Sequence, residues 1–482
     1  KCINCGRCVR TCAEIQGPAV LGYIYRGFAA VVTPEFGESL TQTSCESCGK
    51  CIAVCPVGAL VERNRIYKLN PLAKQPTTQS CGICGTGCQI VCESQSGVPV
   101  RIGTDDKEPG FNGRNLCFKG RFGWQALFAS DRLRVPQIKE QSQWRPLEWP
   151  EARSLLAAKL KASRSKRFEA TPQISLEEML SLQKAAQICG AEFAADPRYR
   201  LASAAFLPLQ PSEAPYDILD RFDTYVVIGE ISHTLRTLLR LRQRTGKRVL
   251  QVLCDGCQPM QFAAAVHSSL EALDTSKRQL YIYNLNRISE QNIARILAAA
   301  NIRDPWLGDV LESTDYQNYY GLQLLKPAFT ESKPADLVLA WGGRASKAAS
   351  KAFTIEINQY LDPDSEADLL LPQASYLETE GVALATACGI TRFANPARSK
   401  LLPELLRLFC DLELLPPATA DLRHWNTLAE ELISRGFAKI NEPYDPAALE
   451  IAALRATPLP LETPLEQRIV ALYESRKSPS SF

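Results

Sequence analysis

Cysteine is the residue type whose spacing in this chain could do chemistry. Cys2-Ile-Asn-Cys5-Gly-Arg-Cys8-Val-Arg-Thr-Cys12 sets four thiols at C-x2-C-x2-C-x3-C. The same spacing recurs at Cys45-Glu-Ser-Cys48-Gly-Lys-Cys51-Ile-Ala-Val-Cys55, followed by Pro56. A third group, Cys81-Gly-Ile-Cys84-Gly-Thr-Gly-Cys88, is C-x2-C-x3-C, and Cys117 follows it within Asn115-Leu-Cys117-Phe-Lys119-Gly-Arg121. Thiolates are soft donors suited to iron–sulfur ligation. Closely spaced thiols can wrap one corner of a cube while a distant fourth closes the opposite corner. Zinc ribbons, the competing reading, use paired C-x2-C knuckles without the third Cys at x2 and the fourth at x3.

C-x2-C-x2-C-x3-C is the bacterial ferredoxin run, in which the fourth Cys of each run ligates the other run's cluster. Cys2, Cys5, Cys8 and Cys55 are therefore expected to hold one [4Fe–4S] cluster. Cys45, Cys48, Cys51 and Cys12 are expected to hold a second. Cys81, Cys84, Cys88 and Cys117 would hold a third, with glycines at 82, 85 and 87 bending the backbone around it. Cys92 reads as buried packing rather than a fifth ligand. Pro56 stops the chain continuing as helix after the last ligand.

Thirteen of the 18 Cys in these 482 residues precede residue 118. A disulfide scaffold would be a shorter chain and would not repeat C-x2-C-x2-C, so metal in a reducing compartment is the expectation. His233, His267 and His424 are the only histidines, too few for His-based zinc or non-haem iron. A net charge of +3 gives no electrostatic footprint for nucleic acid or an acidic membrane, and no stretch of about eighteen apolar residues could span a bilayer. The chain opens inside a motif and without Met, so further sequence is expected before Lys1.

The elements that must position these thiols divide as 1–75, 76–135, 136–400 and 401–482. Val135–Pro150, with prolines at 136, 146 and 150, reads as a linker. Ser175-Leu-Glu-Glu178 is a capping box before an apolar-periodic helix that stops at Gly190. Strands are predicted over Thr224–Ile228, Arg248–Leu253, Leu280–Leu285, Asp336–Ala340, Thr354–Ile357 and Asp368–Leu371. Helices are predicted over His233–Arg244 and Ser289–Ala300. Such alternation implies parallel sheets with helices on both faces. The segment after Leu401 reads as a helical tail with a break at Pro458–Pro464. Cys254-Asp-Gly-Cys257 follows a predicted strand and reads as incidental rather than redox-active, since no second pair completes four ligands. Gly342-Gly343 is a weak candidate phosphate cradle.

The C-x2-C-x3-C…C-x-K-G-R arrangement resembles the iron–sulfur domain of the molybdopterin oxidoreductase family. With the ferredoxin repeat before it, the chain is similar to formate dehydrogenase alpha subunits and to the large iron–sulfur (G) subunit of complex I. Glu177-Glu178 with Gln183-Lys184 resembles the family's Glu-Glu-x-x-x-x-Gln-Lys helix. Ala367-Asp368 through Leu371-Pro372, Ser375, Glu378 and Gly381 resembles its Ala-Asp-x-x-Leu-Pro-x-x-Ser…Glu-x-x-Gly segment. The fold implied is an α+β two-cluster ferredoxin domain followed by α/β molybdopterin-oxidoreductase-like domains with parallel sheets.

The resemblance implies an electron-relay subunit of a cytoplasmic, NAD(P)H-linked oxidoreductase complex, soluble or peripheral on a membrane. Its partners would be a flavoprotein that oxidises NAD(P)H, a small [2Fe–2S] subunit and a further redox subunit such as a hydrogenase or quinone-linked one. Sequence before Lys1 would carry a [2Fe–2S] domain and a further cluster. The alternative is a catalytic alpha subunit of a molybdenum or tungsten formate dehydrogenase. Against it, Ala191–Leu201, including Arg198, has neither the Cys nor the His that active relatives carry after the helix, and Gly381-Val-Ala-Leu-Ala385 departs from Gly-Thr-x-x-Asn. No molybdopterin is therefore expected. Lys119 matches the Lys that lies between cluster and pterin in active relatives, which makes it the candidate cofactor contact.

Overall fold

A computed structural model describes residues 1–62, 74–196, 199, 214–253, 259–268, 273, 278–284, 310–313, 317–325, 327–329, 334–345, 352–384 and 390–435. The first cysteine run enters α1 (Arg7–Arg10) and continues as a π-helical turn, Thr11–Gln16. An antiparallel hairpin follows, β1 (Leu21–Ile24) with β2 (Val31–Pro34). The second run enters α2 (Lys50–Ala53). In both runs the glycine of Cys-Gly-x-Cys precedes the helix with positive φ, Gly6 at 71° and Gly49 at 68°. The repeat in sequence is thus a repeat in backbone: a left-handed residue turns the chain so that the next thiol sits on a helical turn.

The third run lies on a separate antiparallel sheet of β3 (Gln75–Ser80), β4 (Gln89–Gln95) and β5 (Val98–Gly103). Residues along β4 alternate between buried and half-buried, as a strand with one covered face requires. Cys92 on that strand is fully buried beside Ile90 and Ile102. Next comes the short helix α3 (Phe118–Phe122), which starts from Cys117.

Residues 137–146 form a hairpin, β6 (Gln137–Glu140) and β7 (Gln143–Pro146), rather than the expected linker. It extends the edge of a seven-stranded sheet, where Pro136 and Pro146 bracket the strands instead of interrupting a central one. After α4 (Trp149–Ala162) come β8 (Lys166–Ala170), α5 (Leu176–Cys189) and β9 (Glu192–Ala194). The capping box is present at α5, and Gly190 ends the helix in the left-handed conformation.

A second, wholly parallel sheet begins with β10 (Thr224–Ile228), α6 (His233–Arg244) and β11 (Arg248–Val252). It is completed by β12 (Ala265–His267), β13 (Leu280–Asn284) and β14 (Val310–Ser313), in the order β12-β11-β10-β13-β14. The chain then returns to the first sheet with β15 (Leu337–Trp341), β16 (Phe353–Asn358) and β17 (Leu369–Pro372), giving the order β7-β6-β17-β16-β15-β8-β9. Every residue of β15 is buried, which fits a parallel strand covered on both faces. A last hairpin pairs β18 (Glu380–Leu384) with β19 (Ile390–Ala394). The chain therefore begins with ferredoxin-like elements and continues as α/β with mixed and parallel sheets.

The helices Leu401–Asp411 and Leu422–Arg435 pack into the main core, where Phe409 meets Trp341 edge-on and Trp425 is buried. Among the described residues no helix is long and apolar enough to cross a membrane. Predicted helix Ser289–Ala300, the break at Pro458–Pro464, and residues Cys254, Cys257, Arg198, Ala385 and Cys388 lie outside the described residues.

Candidate metal centres

The strand-to-strand turn between β3 and β4 carries three of the four thiols of the third group. The N–H of Cys81 donates to the carbonyl of Cys88 at 2.7 Å, closing the loop, and Gly87 turns it with φ 66°. Gly82 has another reason to be glycine: a Cβ there would lie 2.5 Å from Cβ of Tyr376. The fourth thiol, Cys117, caps α3 and accepts the Gly120 N–H at 3.3 Å. Cys81, Cys84, Cys88 and Cys117 line one cavity together with Lys119 and His233. Gly120 keeps that space open, because its Cβ would stand 3.7 Å from the sulfurs of both Cys81 and Cys117.

Burial pushes the Cys81 and Cys88 thiols well above the ordinary range, and mutual repulsion with the other thiols of the set adds to it. Four thiolates cannot share such a space unless a cationic centre compensates them. The donor set and the glycine-cleared cavity therefore fit a bound iron–sulfur cluster.

The two ferredoxin runs interleave. Cys12 from the first run joins Cys45, Cys48 and Cys51 from the second around another cavity, which Glu46 and Lys50 also line. Burial first, then repulsion from Cys48, Cys45 and Cys12, pushes Cys51 up to about 12. This set also fits a cluster, and it groups the four thiols expected for the second one. Cys2, Cys5 and Cys8 lie together on the outer side: Cys2 and Cys5 are exposed. Cys8 is raised chiefly by burial, with repulsion from Cys2 and Cys5 contributing. Cys55 is placed by its own loop, its sulfur accepting the Ala59 N–H at 3.2 Å. Backbone donors, Leu60 foremost, lower its pKa. Among the described residues, no three His, Cys, Asp or Glu side chains are grouped to hold a metal ion.

Two connections that spacing did not reveal join the interior cavities. Arg121, in the turn after Cys117, donates its N–H to the Cys117 carbonyl at 3.0 Å and its Nε–H to the Cys48 carbonyl at 2.9 Å. The second connection is His233 on α6, which borders the Cys81 cavity and has its Nε2 2.9 Å from the Glu46 carboxylate. Glu46 also accepts from Gln16 at 2.8 Å and from Arg236 at 2.7 Å. Its own burial opposes ionisation, but the His233 and Gln16 hydrogen bonds and the charges of His233 and Arg236 hold its pKa down at about 2. Thr234, next on the helix, meets the Cys88 sulfur at 3.3 Å. The Lys-Gly-Arg segment and a lone His opening a helix were the available signals, and neither named its partner.

The downstream motif residues also meet. Val382 N–H donates to the Glu177 carboxylate at 3.0 Å, and a Cβ on Gly381 would collide with Glu177. Glu178 closes the capping box with the Ser175 N–H at 2.7 Å. Glu378 accepts the Ser375 N–H and pairs with buried Arg132. Gly342 and Gly343 accommodate Thr171, which a Cβ on either would crowd.

Residues 1–61 match the family model described as the NADH-quinone oxidoreductase subunit 3, ferredoxin-like domain. The chain is 36% identical over 186 residues to an NADH-quinone oxidoreductase subunit of Rhizobium meliloti, covering 38% of this chain and 21% of that one. It is 31% identical over 242 residues to the NADPH-Fe(3+) oxidoreductase subunit alpha of Geobacter sulfurreducens, covering 48% of this chain and 28% of the relative. It is 49% identical over 134 residues to the NADP-reducing hydrogenase subunit HndD of Solidesulfovibrio fructosivorans, covering 27% and 21% of the two chains. The matched part is thus less than a third of each relative. A ferredoxin-like start of the subunit 3 type, followed by the α/β elements and motifs described above, places the chain with the large iron–sulfur subunits of NADH-quinone oxidoreductase and formate dehydrogenase-like proteins in the molybdopterin oxidoreductase family.

Proposed function

We propose that the chain is an electron-relay subunit of a multi-subunit NAD(P)H-linked oxidoreductase, with three [4Fe–4S] centres. These would be held by Cys2, Cys5, Cys8 and Cys55; by Cys45, Cys48, Cys51 and Cys12; and by Cys81, Cys84, Cys88 and Cys117. The observation that carries this reading is that two thiol quartets line separate cavities joined by Arg121 and by the Glu46–His233 contact. Clusters bound there would supply one-electron storage. The protein's own part is to fix their separation, to exclude water from the two interior sites and to leave Cys2 and Cys5 exposed where a partner could approach.

The names of the relatives support the choice of partners: a flavoprotein that oxidises NAD(P)H, a small [2Fe–2S] subunit and a further redox subunit. Residues 1–75 would act as the two-cluster ferredoxin domain, 76–135 as the third iron–sulfur domain, 136–400 as the α/β scaffold without molybdopterin, and 401–482 as a helical extension. Lys119 would be the charge partner of the third centre, since it borders the same cavity as the four thiols.

Metal analysis of the intact complex tests the reading. The expectation is about twelve iron atoms per chain for three four-iron clusters, without molybdenum or tungsten, and cluster reduction by NAD(P)H when the partners are present. Stoichiometric molybdenum would favour the formate dehydrogenase alternative, and zinc at the Cys81 set would overturn the third centre.

A further inference from the structure

Arg121 is one of the largest fully buried side chains in the protein, at 1% exposure. A guanidinium keeps its charge at any pH a protein survives. Burying it without compensation is costly, so its surroundings must supply negative charge. Its Nε–H is used on the Cys48 carbonyl at 2.9 Å, while Nη2 is buried without a hydrogen-bond partner among the described residues. The charges that attract it are the thiols of Cys48 and Cys51 and the carboxylate of Glu62; Arg101 repels it, and so does Lys50.

The side chain is also locked in place. Gly49, between Cys48 and Lys50, is the only residue type that fits against it, because a Cβ there would lie 2.3 Å from Cδ of Arg121. The backbone of Arg121 is held in turn by Cys117. A permanent cation is thus fixed against the loop of one thiol set by the loop of the other.

We propose that Arg121 sets the reduction potential of the Cys12–Cys45–Cys48–Cys51 centre, a reading that rests on the cluster assignment proposed above. Reduction adds one negative charge to a site that already carries four thiolates. A buried cation at a fixed distance stabilises that extra charge more than water would, because the local dielectric is low. Arg121 therefore makes this centre easier to reduce, and the electron, delivered by the NAD(P)H-oxidising partner, is held next to the Cys81–Cys84–Cys88–Cys117 set. In this role Arg121 is a positioning residue: it touches the loop of the centre, while the thiols do the ligation.

Electron paramagnetic resonance potentiometry on the full complex decides it. The centre's signal is identified as the one lost in Cys51→Ser, and the outer centre's as the one lost in Cys5→Ser. In Arg121→Gln, with iron content unchanged, the first signal should shift to lower potential by an amount corresponding to about a tenfold change in the reduced-to-oxidised ratio, which is 59 mV for one electron. The outer signal should stay where it is, and Arg121→Lys should recover most of the shift.

An unshifted signal in Arg121→Gln with its iron retained overturns the proposal. Should Arg121→Gln lose iron, the decision passes to Glu62→Gln, which leaves Arg121 in place and removes the carboxylate that offsets it. The same signal must then move to higher potential, and a fall or no change overturns the proposal. Failure of the cluster assignment is recognised separately, in the wild type alone: no iron and no signal lost in Cys51→Ser would remove the centre itself.

Discussion

Gly49→Ala is the most exacting test of how the two thiol-bearing loops meet. Gly49 has φ 68°, a region where an L-residue costs about 1–2 kcal/mol. The added methyl carbon would also stand 2.3 Å from Cδ and 2.9 Å from Nε of Arg121, and 2.9 Å from the ring edge of Phe122. Arg121 cannot swing away cheaply, because it is buried and its Nε–H is committed to the Cys48 carbonyl. Overpacking of this kind costs about 1–3 kcal/mol, so the two effects together predict a loss of about 2–5 kcal/mol, a large part of an ordinary folding stability. Gly58→Ala separates them: Gly58 has φ 60°, and its Cβ would meet nothing within 4 Å. That variant should pay the backbone cost alone. The assay is urea unfolding of both variants and the wild type, followed by circular dichroism. Equal losses for Gly49→Ala and Gly58→Ala would refute the contact between the Cys48–Lys50 turn and α3.

Two further changes bear on groups outside the centres. Burial pushes Glu177 up to about 8, although the Val382 N–H opposes this. The folded state therefore holds a proton that the unfolded chain, at its ordinary value of 4.5, has lost. Stability should fall as pH rises from 4.5 towards 8, by up to about 1.4 kcal/mol per pH unit from this group. Glu177→Gln should flatten the slope in pH-dependent urea titrations, and an unchanged slope would show that Glu177 does not bind that proton. Cys92→Ala should leave the iron count unchanged while lowering stability by about 1–2 kcal/mol for the lost packing, because Cys92 is fully buried among Ile90 and Ile102. Iron loss in that variant would instead mark Cys92 as a ligand.

What sequence reasoning could reach was local. Thr224–Ile228 and His233–Arg244 match the predicted boundaries, and Ser175–Glu178 forms its capping box. Each rests on neighbours a few residues apart: a β-branched run stopped by Gly229, a helix period stopped before Gly246, a Ser and a Glu three apart. The grouping of Cys12 with Cys45, Cys48 and Cys51 was also legible, because the ferredoxin spacing carries long-range information in a short string. The hairpin at 137–146 was not. Its prolines punctuate an edge strand as readily as a linker, and only its partner β17, more than two hundred residues later, decides between them. Arg121 and His233 were missed for the same reason. A buried cation is recognised by the anions around it, and those anions come from loops 73 and 187 residues away.

The placement of α6 explains why the α/β part persists next to an electron-relay site. This one helix reaches both interior thiol sets. Thr234 touches the Cys88 sulfur, and His233 and Arg236 hold Glu46, the neighbour of Cys45. Further along, Arg240 donates to the Ala13 carbonyl and Arg244 pairs with Glu14, both beside Cys12. The pair at Glu14 is half-exposed and contributes little by itself. Its value is geometric, since with Arg236 and Arg240 it fixes the ferredoxin-like segment at several points along a rigid helix. The helix is in turn anchored by Leu235, Leu238 and Leu239 in the core of the parallel sheet. A small domain of short helices and one hairpin could not hold such spacing by its own core. Packed against α6 it inherits the rigidity of a five-stranded sheet, and that requirement would keep the fold in place whether or not a second cofactor occupies it.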